Sequence, residues 1–305
     1  MDLSIVIVNF NSGRFLKKAI GSIKQYTRNL NYEIIVVDNG SYDDSLNLVE
    51  NIYTDIILIK NKCNVGFAKA NNMALKRARG AAIVLFNPDA WLENNSFEYM
   101  YSYLMKNSDV GLVGCRFKFP DGRVQTSAYS YTSLGKKIFH AIVGPFRGKL
   151  SIIFKKYHFA IERIFPGKII RTYSLNYLSN GEAREVDCIT GACMMFRREI
   201  LNSVGYLDES FFMYCEDQDF CRRHKNSGLK VMYLPSTYII HYSGWKKNEI
   251  NPFIYKKRFE SLRYYCSKYY KQRFIYYNLF RLLNYLEFKI VSTINKAKNT
   301  RGHYQ

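Results

Sequence analysis

Hydrophobic residues in the first 115 positions fall into short runs separated by polar turns. Runs rich in Val, Ile and Leu occupy residues 3–8, 33–37, 56–59, 82–86 and 110–115. Continuous apolar runs of this length are typical of strands buried on both faces of a parallel sheet. Helical patterns lie between them, with Ser12 and Ser41 as possible N-caps and Gly80 as the end of a helix that starts near Gly66. The alternation predicts an α/β fold with a mostly parallel central sheet flanked by helices.

The later part of the chain has a different pattern. Residues 124–185 are less regular and are rich in basic and aromatic side chains, which indicates an insertion within the first domain. Apolar runs return at residues 186–196, 231–234 and 238–240. The last two runs predict two short strands, and the second of these leads to His241. From about residue 251 to about residue 298 the pattern is helical. We therefore predict one domain over residues 1–245 and a basic, amphipathic helical region over residues 246–305.

Polar residues follow four of the predicted strands: Asn9 and Asn11, Asp38 and Asn39, Asn64 and Gly66, and Asn87 and Asp89. One polar strand end is ordinary turn chemistry. In open α/β sheets, however, ligands bind beyond the carboxyl ends of the strands, so four such ends in succession favour a binding site. The chain has no Gly-x-Gly-x-x-Gly after its first strand and no P-loop lysine motif. Both absences argue against a dinucleotide cofactor and P-loop NTPase chemistry.

Three residues suit a phosphorylated ligand, although each also has an ordinary structural explanation. Asp89 could hold a divalent cation that binds a diphosphate, because Mg²⁺ and Mn²⁺ prefer oxygen ligands; it could equally belong to a plain Pro-Asp turn. His241 could ligate that cation, donate to the diphosphate, or have only a structural role. Asp38 could accept a hydrogen bond from a nucleobase or ribose hydroxyl, or cap a turn.

The stretch Glu216-Asp217-Gln218-Asp219 places three carboxylates within four residues, with aromatic residues on both sides. Carboxylates this close repel one another, which raises at least one pKa toward the range of a general base. The stretch could also begin a helix, where acidic side chains complement the helix dipole. The two interpretations are compatible.

The net charge of the chain is +20, and the chain contains 26 tyrosines and 21 phenylalanines. This combination indicates an anionic partner: nucleic acid, an anionic membrane surface or a phosphorylated substrate. Most of the excess charge lies in residues 136–171 and 246–305, and the second stretch has 14 Lys and Arg against 3 Asp and Glu. We predict that the C-terminal region contacts an anionic membrane surface; a helical cap on the first domain is the alternative. No nucleic-acid-binding motif accompanies the charge, so nucleic acid is not a predicted partner.

The seven cysteines are scattered without a Cys-x-x-Cys pair, which indicates reduced thiols in a cytosolic protein. The first residues enter a strand pattern directly, so we predict no signal peptide. We also predict no membrane-spanning helix, because no stretch of about 18 residues is apolar and free of charge.

A series of segments, in order, resembles the inverting family 2 glycosyltransferases, in particular their rhamnosyltransferase-like branch. The segments are residues 4–12, 37–45, 64–72, 86–89, 190–197 and 205–222, followed by His241. The resemblance spans about residues 3–245 and implies a GT-A fold, a nucleotide-diphospho-sugar donor and Mg²⁺ or Mn²⁺. It places the donor at Asn9, Asn11, Asp38, Asn39, Asn64, Gly66, Asn71 and Asn87, and the cation at Asp89 and His241. Asn87 stands where the family's Asp-x-Asp element has its first carboxylate, so only Asp89 supplies one here.

The resemblance also implies a mechanism with Asp217 as general base. Asp217 would take the proton of the acceptor hydroxyl as it attacks the anomeric carbon, while the nucleoside diphosphate leaves from the opposite face. Glu216 or Asp219 would orient the acceptor or the base.

The implied function is transfer of a sugar to a hydroxyl of a glycan acceptor that is lipid-linked through polyprenyl diphosphate. The resemblance places this reaction in bacterial surface polysaccharide synthesis, at the inner face of the cell membrane. dTDP-rhamnose is the first expectation for the donor, followed by UDP-hexose or UDP-galactofuranose. One alternative is a nucleotidyltransferase that makes a nucleotide-sugar, although the chain lacks a Gly-rich activation loop after its first strand. The other is a catalytically silent binding protein, which the retained Asp89, Asp217 and His241 argue against.

Overall fold

The computed structural model describes residues 1–134, 181–243 and 252–301, and contacts divide the chain into two compact units. Within the described residues, the first unit contains residues 1–130, 181–209 and 216–243. The second unit contains residues 131–134, 210–215 and 252–301. Most of the predicted insertion, including its basic stretch 136–171, lies outside the described residues. The domain boundary after residue 245 stays a prediction.

A mixed sheet forms the core of the first unit, and its first half is parallel. The strands β1 (Leu3–Asn9), β2 (Tyr32–Asp38), β3 (Ile57–Lys60) and β4 (Ala82–Phe86) lie in the order β3-β2-β1-β4. All residues of β1 and β4 are buried, as expected for strands covered on both faces. β1 pairs in parallel with β2 and β4, and Asn9 faces Asp38 in register. The polar ends of these strands therefore meet at one edge of the sheet.

The second half of the sheet mixes strand directions. It contains β5 (Ala90–Trp91), β6 (Val110–Lys118), β11 (Cys193–Arg197) and β12 (Lys230–His241), in the order β11-β6-β12-β5 after β4. β11 runs antiparallel to β4, and Cys193 at its start lies beside Phe86. The loop before β11 is therefore at the edge where β4 ends. β12 is one strand with a register shift between Leu234 and Tyr238, so the prediction of two separate strands was wrong.

Four strands of two residues each complete the first unit: β7 (Val124–Gln125), β8 (Ala128–Tyr129), β9 (Arg184–Glu185) and β10 (Cys188–Ile189). β7 pairs with β6, β9 pairs with β12, and β8 pairs with β10 in a separate ribbon. The first residues of the predicted insertion are therefore part of the ordered first unit.

The helices of the first unit are α1 (Phe15–Tyr26), α2 (Asn47–Glu50), α3 (Phe67–Leu75), α4 (Ser96–Lys106), α5 (Leu201–Val204) and α6 (Glu216–Asn226). Ser12 and Ser41 make no capping bonds, because α1 and α2 begin later than the sequence suggested. α3 ends at Leu75, so Gly80 does not terminate it as predicted. Gly80 instead packs against the backbone of β1, where a Cβ would clash with the N–H of Ser4.

The second unit is built on α7 (Pro252–Tyr270) and α8 (Phe274–Arg301), which together confirm the helical C-terminal region with a break at residues 271–273. The buried hydrophobic residues of this unit are Leu134, Phe211, Cys215, Tyr265, Cys266, Tyr270 and Phe280. The hydroxyl of Tyr270 donates to the carbonyl of Thr132 over 2.7 Å, as buried tyrosines usually require. No helix within the described ranges is both long and apolar enough to cross a membrane.

Candidate active site

Asn9 and Asp38 end neighbouring strands, and their buried side chains bond to each other. Nδ2 of Asn9 donates to Oδ1 of Asp38 over 2.8 Å, and the N–H of Ser41 donates to Oδ2 of Asp38 over 3.1 Å. The hydroxyl oxygen of Ser41 also accepts from the N–H of Asn11 over 3.0 Å. Ser41, which the sequence suggested only as a helix cap, thus joins the loops after β1 and β2.

A second amide network links the loop after β2 to the loop after β3. Asn39 donates from Nδ2 to Oδ1 of Asn64 over 2.9 Å, and its own Oδ1 accepts from the N–H of Val65 over 3.1 Å. Oδ1 of Asn64 also accepts from the N–H of Gly66 over 2.9 Å. Gly66 has φ 93° and ψ 166°, a conformation essentially restricted to glycine, and α3 begins directly after it. Asn39, Asn64 and Gly66 therefore form one connected structure beside Asp38.

The other two asparagines predicted to bind the donor near these loops differ in their contacts. Asn11 has a positive φ of 50°, and its Oδ1 accepts from the N–H of Tyr42 over 2.9 Å. Asn71 is buried and donates to the carbonyl of Phe67 over 2.8 Å, one turn earlier in α3. Asn11 thus belongs to the loop network, whereas the amide of Asn71 is engaged within its own helix.

Asp89 and His241 come together because β12 ends beside β5. His241 is in register with Ala90, which directly follows Asp89. Oδ1 of Asp89 lies 3.4 Å from Nε2 of His241, and the N–H of Ser243 donates to Oδ2 of Asp89 over 2.9 Å. Burial acts to raise the pKa of Asp89, but His241 and the Ser243 N–H outweigh it and hold this pKa below its usual range. The carboxyl group is therefore ionised at neutral pH.

The ring of His241 has a defined orientation because both nitrogens face polar side chains. Nδ1 lies 3.1 Å from Oε1 of Gln125, and Nε2 lies 3.3 Å from Nδ2 of Asn87. Without a cation, a proton on Nε2 can face Asp89. With a cation bound, a proton on Nδ1 donated to Gln125 would leave the lone pair of Nε2 for the metal. An imidazole nitrogen and a carboxylate oxygen both suit Mn²⁺, and a diphosphate would add further oxygens. The pair thus fits one cation shared with a ligand, while the described parts of the chain contain no metal-binding group of three or more His, Cys, Asp or Glu side chains.

Asp217, at the start of α6, has its carboxylate held by three donors. The hydroxyl of Tyr129 donates to Oδ2 over 2.5 Å, and the N–H of Gly191 points at the same oxygen from 3.4 Å. The N–H of Gln218 donates to Oδ1 over 2.8 Å. Burial raises the pKa of Asp217, and the donors reduce this rise without cancelling it. A partly exposed carboxylate with a raised pKa has the properties of a general base.

The two acidic neighbours of Asp217 have different surroundings. Glu216 is only 6% exposed, and its Oε2 has no hydrogen-bond partner among the described residues. Burial and the nearby charge of Asp217 raise the pKa of Glu216 well above its usual range, which favours the protonated form. Asp219 is fully buried and accepts from Nε of Arg223 over 2.8 Å. Asp219 is thus engaged in an internal ion pair, whereas Glu216 lies beside the predicted base.

The chain enters α6 through two residues with strained backbone. Tyr214 and Cys215 have φ values of 69° and 68°, which side chains other than glycine rarely adopt. Each such residue costs about 1–3 kcal/mol, and this strain is concentrated at functional sites in proteins. This strained turn lies directly before the helix that carries the predicted base.

Asn87 and Gly191 connect the Asp89–His241 pair to Asp217. The N–H of Asn87 donates to the carbonyl of Ala192 over 2.9 Å, next to the Gly191 N–H that faces Asp217. A Cβ on Gly191 would lie 3.4 Å from the ring of Phe67 and 3.7 Å from Cβ of Asp217. The structure thus brings the start of α3, the start of α6 and the Asp89–His241 pair to one edge of the sheet.

Sequence reasoning missed Gln125 and Tyr129. Both lie in the stretch that was interpreted as an irregular insertion, and each contacts a partner far away in the chain. Gln125 is 116 residues from His241, and Tyr129 is 88 residues from Asp217. No local pattern marks such residues, because their role depends on the tertiary fold alone.

The family model described as "Glycosyl transferase family 2" matches residues 4–205. The chain belongs to this family. It is therefore a glycosyltransferase, which confirms the prediction of an enzyme and sets aside both the nucleotidyltransferase and the silent binding protein.

Relatives of this glycosyltransferase are named as sugar transferases. One is an N-acetylglucosaminyl-diphospho-decaprenol L-rhamnosyltransferase of Mycobacterium tuberculosis, 25% identical over 253 residues, with 79% of this chain and 76% of the relative covered. Another is the low-salt glycan biosynthesis hexosyltransferase Agl10 of Haloferax volcanii, 25% identical over 235 residues, with 75% of this chain and 64% of the relative covered. The predicted membership of a branch with rhamnosyltransferase relatives is thereby confirmed.

Two solved structures confirm the GT-A fold of this glycosyltransferase. GalNAc-T7 with UDP, GalNAc and Mn²⁺ aligns with a TM-score of 0.56 at 13% identity, covering 86% of this chain and 47% of that protein. TarS of S. aureus aligns with a TM-score of 0.53 at 16% identity, covering 88% of this chain and 39% of that protein. The chain spans less than half of each protein, and at these identities the likeness establishes the fold alone.

Proposed function

We propose that this glycosyltransferase moves a sugar from a nucleotide-diphospho-sugar to a hydroxyl of a glycan acceptor, with inversion at the anomeric carbon. The observation that carries the proposal is the position of Asp217. This carboxylate is partly exposed, has a raised pKa, and shares a sheet edge with the Asp89–His241 pair. The arrangement supplies a base for an acceptor and a polar site for a diphosphate, which are the two requirements of this transfer.

In the proposed mechanism, Asp217 accepts the proton of the acceptor hydroxyl as its oxygen bonds to the anomeric carbon. The bond from that carbon to the diphosphate oxygen breaks on the opposite face, and the electron pair leaves with the nucleoside diphosphate. Displacement in line inverts the anomeric centre. A positioned base contributes about 10²–10⁴-fold to such a reaction.

The donor would lie along the connected loops, at Asn9, Asn11, Asp38, Asn39, Asn64, Gly66, Asn71 and Asn87. Asp89 and His241 would hold Mg²⁺ or Mn²⁺. When bound, such a cation supplies a Lewis acid that stabilises charge on the leaving diphosphate. Since Asn87 offers an amide where a second carboxylate could stand, the protein contributes few ligands of its own, and the donor's phosphates would complete the set.

Of the two acidic neighbours of the base, we favour Glu216 as the residue that orients the acceptor or Asp217. Its buried Oε2 lacks a partner in the described structure, and its raised pKa favours a protonated carboxyl group that could donate to Asp217. The carboxylate of Asp219 is already paired with Arg223. Asp219 would therefore hold α6 in place without touching the substrate.

The names of relatives support the class of substrate. The Mycobacterium tuberculosis relative is named for transfer of L-rhamnose to N-acetylglucosaminyl-diphospho-decaprenol, which supports rhamnose as the sugar and a polyprenyl-diphosphate-linked glycan as the acceptor. The Haloferax volcanii relative is named a hexosyltransferase, which keeps a UDP-hexose as the second candidate. Either assignment fits a role in surface polysaccharide synthesis.

An enzyme with a lipid-linked acceptor must act at a membrane surface, and α8 has a face that could contact one. Four apolar residues recur at spacings of three and four along this helix and are 38–81% exposed: Ile275, Leu279, Leu282 and Leu286. Single exposed apolar residues are normal in proteins, but a contiguous stripe indicates a contact surface. Residues 246–305 have 14 Lys and Arg against 3 Asp and Glu, which complements anionic lipid. We infer that this face docks on an anionic membrane, peripherally and at its cytoplasmic side.

The donor is tested by a thermal-shift panel of nucleotide-sugars with and without Mn²⁺. We expect dTDP-rhamnose to raise the melting temperature of the protein more than other nucleotide-sugars do, and Mn²⁺ to enlarge the effect. A larger shift with a UDP-hexose would reassign the sugar. If no nucleotide-sugar shifts the melting temperature under either condition, the proposed donor class is wrong.

The membrane surface is tested by co-sedimentation with vesicles of phosphatidylglycerol and phosphatidylcholine. Leu282→Glu should release the protein from the anionic vesicles because it places a charge in the apolar stripe. Gln25→Glu makes the same charge change at an exposed position of α1, outside this face, and should retain binding. Equal binding of Leu282→Glu and the native protein would exclude this face as the membrane contact.

A further inference from the structure

Residues 124–129 form a short segment that is attached at several points to the first unit. Gln125 in β7 pairs with Phe117 of β6, and Tyr129 in β8 pairs with Cys188 of β10. Between them, the buried hydroxyl of Ser127 donates to the carbonyl of Cys115 over 2.8 Å. These bonds restrict the backbone on both sides of the segment, so its side chains have defined positions.

The two ends of this segment contact the two chemically distinct parts of the site. Tyr129 donates its hydroxyl proton to Oδ2 of Asp217 over 2.5 Å. Four residues earlier, Oε1 of Gln125 lies 3.1 Å from Nδ1 of His241. One restrained segment therefore contacts both the proposed base and the proposed cation pair.

We propose that residues 124–129 position both ends of the reaction. Tyr129 orients the carboxylate of Asp217 and favours its ionised form, and Gln125 holds the proton of His241 on Nδ1 when Nε2 binds a cation. The inference rests on the proposed function, since it assigns helpers to Asp217 and His241. Tyr129 and Gln125 are positioning residues, because each acts through another side chain.

The direction of the Tyr129 effect follows from the groups around Asp217. Glu216 and Cys221 lie on its own helix, Cys188 faces it from β10, and Tyr129 faces it from β8. Burial and the charge of Asp217 raise the pKa of Tyr129 well above its usual range, so the phenol keeps its proton and remains a donor. A donor stabilises the ionised carboxylate. Loss of the hydroxyl must therefore raise the pKa of the base.

The first test is the pH dependence of kcat/KM in Tyr129→Phe. We expect the acidic limb of the profile to move to higher pH by about one unit, since one hydrogen bond to the charged form is lost. On that limb the rate at a given pH should fall about tenfold, and on the high-pH plateau it should fall much less. Tyr101→Phe removes a phenol from α4, outside the site, and should leave the profile unchanged. An unmoved limb in Tyr129→Phe would overturn this part of the inference.

The second test is binding of Mn²⁺ alone, followed by the loss of the electron paramagnetic resonance signal of the free ion. Gln125→Met removes the acceptor for Nδ1 at nearly constant length, and we expect affinity for Mn²⁺ to fall about 10–100-fold. Gln125→Glu retains an oxygen acceptor and should restore binding. Gln25→Met, on the exposed side of α1, is the matched control. Unchanged Mn²⁺ affinity in Gln125→Met would overturn the role of Gln125.

These results separate failure of the inference from failure of the proposed function. If Asp217→Asn abolishes transfer while Tyr129→Phe keeps the native pH profile, Asp217 remains the base and Tyr129 is only structural. If Asp217→Asn is fully active, the proposed function itself fails. Thermal unfolding of each variant shows whether a loss reflects folding, and Tyr129→Phe should retain a single cooperative transition.

Discussion

The buried pair of Asp219 and Arg223 allows a sharp test of what Asp219 does. Asp219→Asn removes the negative charge and leaves the guanidinium group uncompensated. Asp219 is fully buried and the side chain of Arg223 is 21% exposed, so little water can replace the lost partner. Breaking a buried pair in this way costs about 3–5 kcal/mol. Arg223 still donates to the carbonyl of Tyr206 over 2.7 Å, which places the expected cost at the lower end, about 3 kcal/mol.

The assay compares the free energy of unfolding in urea with transfer activity per folded molecule. We expect Asp219→Asn to lose about 3 kcal/mol of stability and, at a temperature where it is folded, to keep the acidic limb of the native pH profile. Asp109→Asn is the control, because Asp109 and its partner Lys230 are both about half exposed and should matter little. If Asp219→Asn has native stability but activity reduced by orders of magnitude, the structural role is refuted and Asp219 takes part in catalysis.

Three further predictions concern pH and backbone. His224 is buried and its pKa is lowered from 6.5 to about 4, so the unfolded chain takes up a proton first as pH falls. Urea titrations should show up to about 3 kcal/mol of stability lost between these values, and His224→Gln should remove that part; an unchanged pH dependence in the variant would contradict this. The effect of Glu216 on stability has the opposite dependence on pH. Because its pKa is raised, the folded state keeps a proton that the unfolded chain releases, so stability falls as pH rises above about 4.5. Glu216→Gln should therefore melt at a higher temperature than the native protein at pH 8, and a lower melting temperature would show that its charge is stabilised. Gly40 and Gly122 have similar positive φ values, +79° and +83°, so the backbone cost of alanine is similar at the two positions. A Cβ at Gly40 would also lie 2.8 Å from Cα of Cys63, whereas a Cβ at Gly122 would enter open space. Gly40→Ala should therefore lose about 1–3 kcal/mol more stability than Gly122→Ala, and equal melting temperatures would rule out the contact.

The parallel strands at the start of the sheet, and the meeting of their polar ends, could be predicted because the signals for each strand are local. Each apolar run is followed by Asn, Asp or Gly, and the carboxyl ends of parallel strands must meet at one edge. The length of α3 could not be predicted in this way. Residues 76–79 continue a helical pattern, but the N–H of Arg79 donates to Oε1 of buried Glu33 over 2.7 Å and its Nε donates to Oε2 over 3.0 Å. Bonds from Arg79 to the buried carboxylate of Glu33 therefore replace the last turn that helix propensity favours in α3.

The candidate site shows the same limit of sequence reasoning. Asp89, Asp217 and His241 could be chosen by residue type and by family resemblance. Their partners could not, because Gln125 and Tyr129 reach them only through the register of short strands. Likewise, Glu216 and Asp219 look equivalent in the sequence, and only the fold shows that one lacks a partner and the other is paired with Arg223.

The central claim is that Asp217 is the base of a sugar transfer, and Asp217→Asn tests it most directly. Transfer to the acceptor and donor affinity by calorimetry should be measured on the same preparation. We predict that transfer falls by about 10²–10⁴-fold or more, while donor affinity stays native, because the amide cannot accept the proton and the donor loops are intact. Full transfer activity in Asp217→Asn would contradict the account.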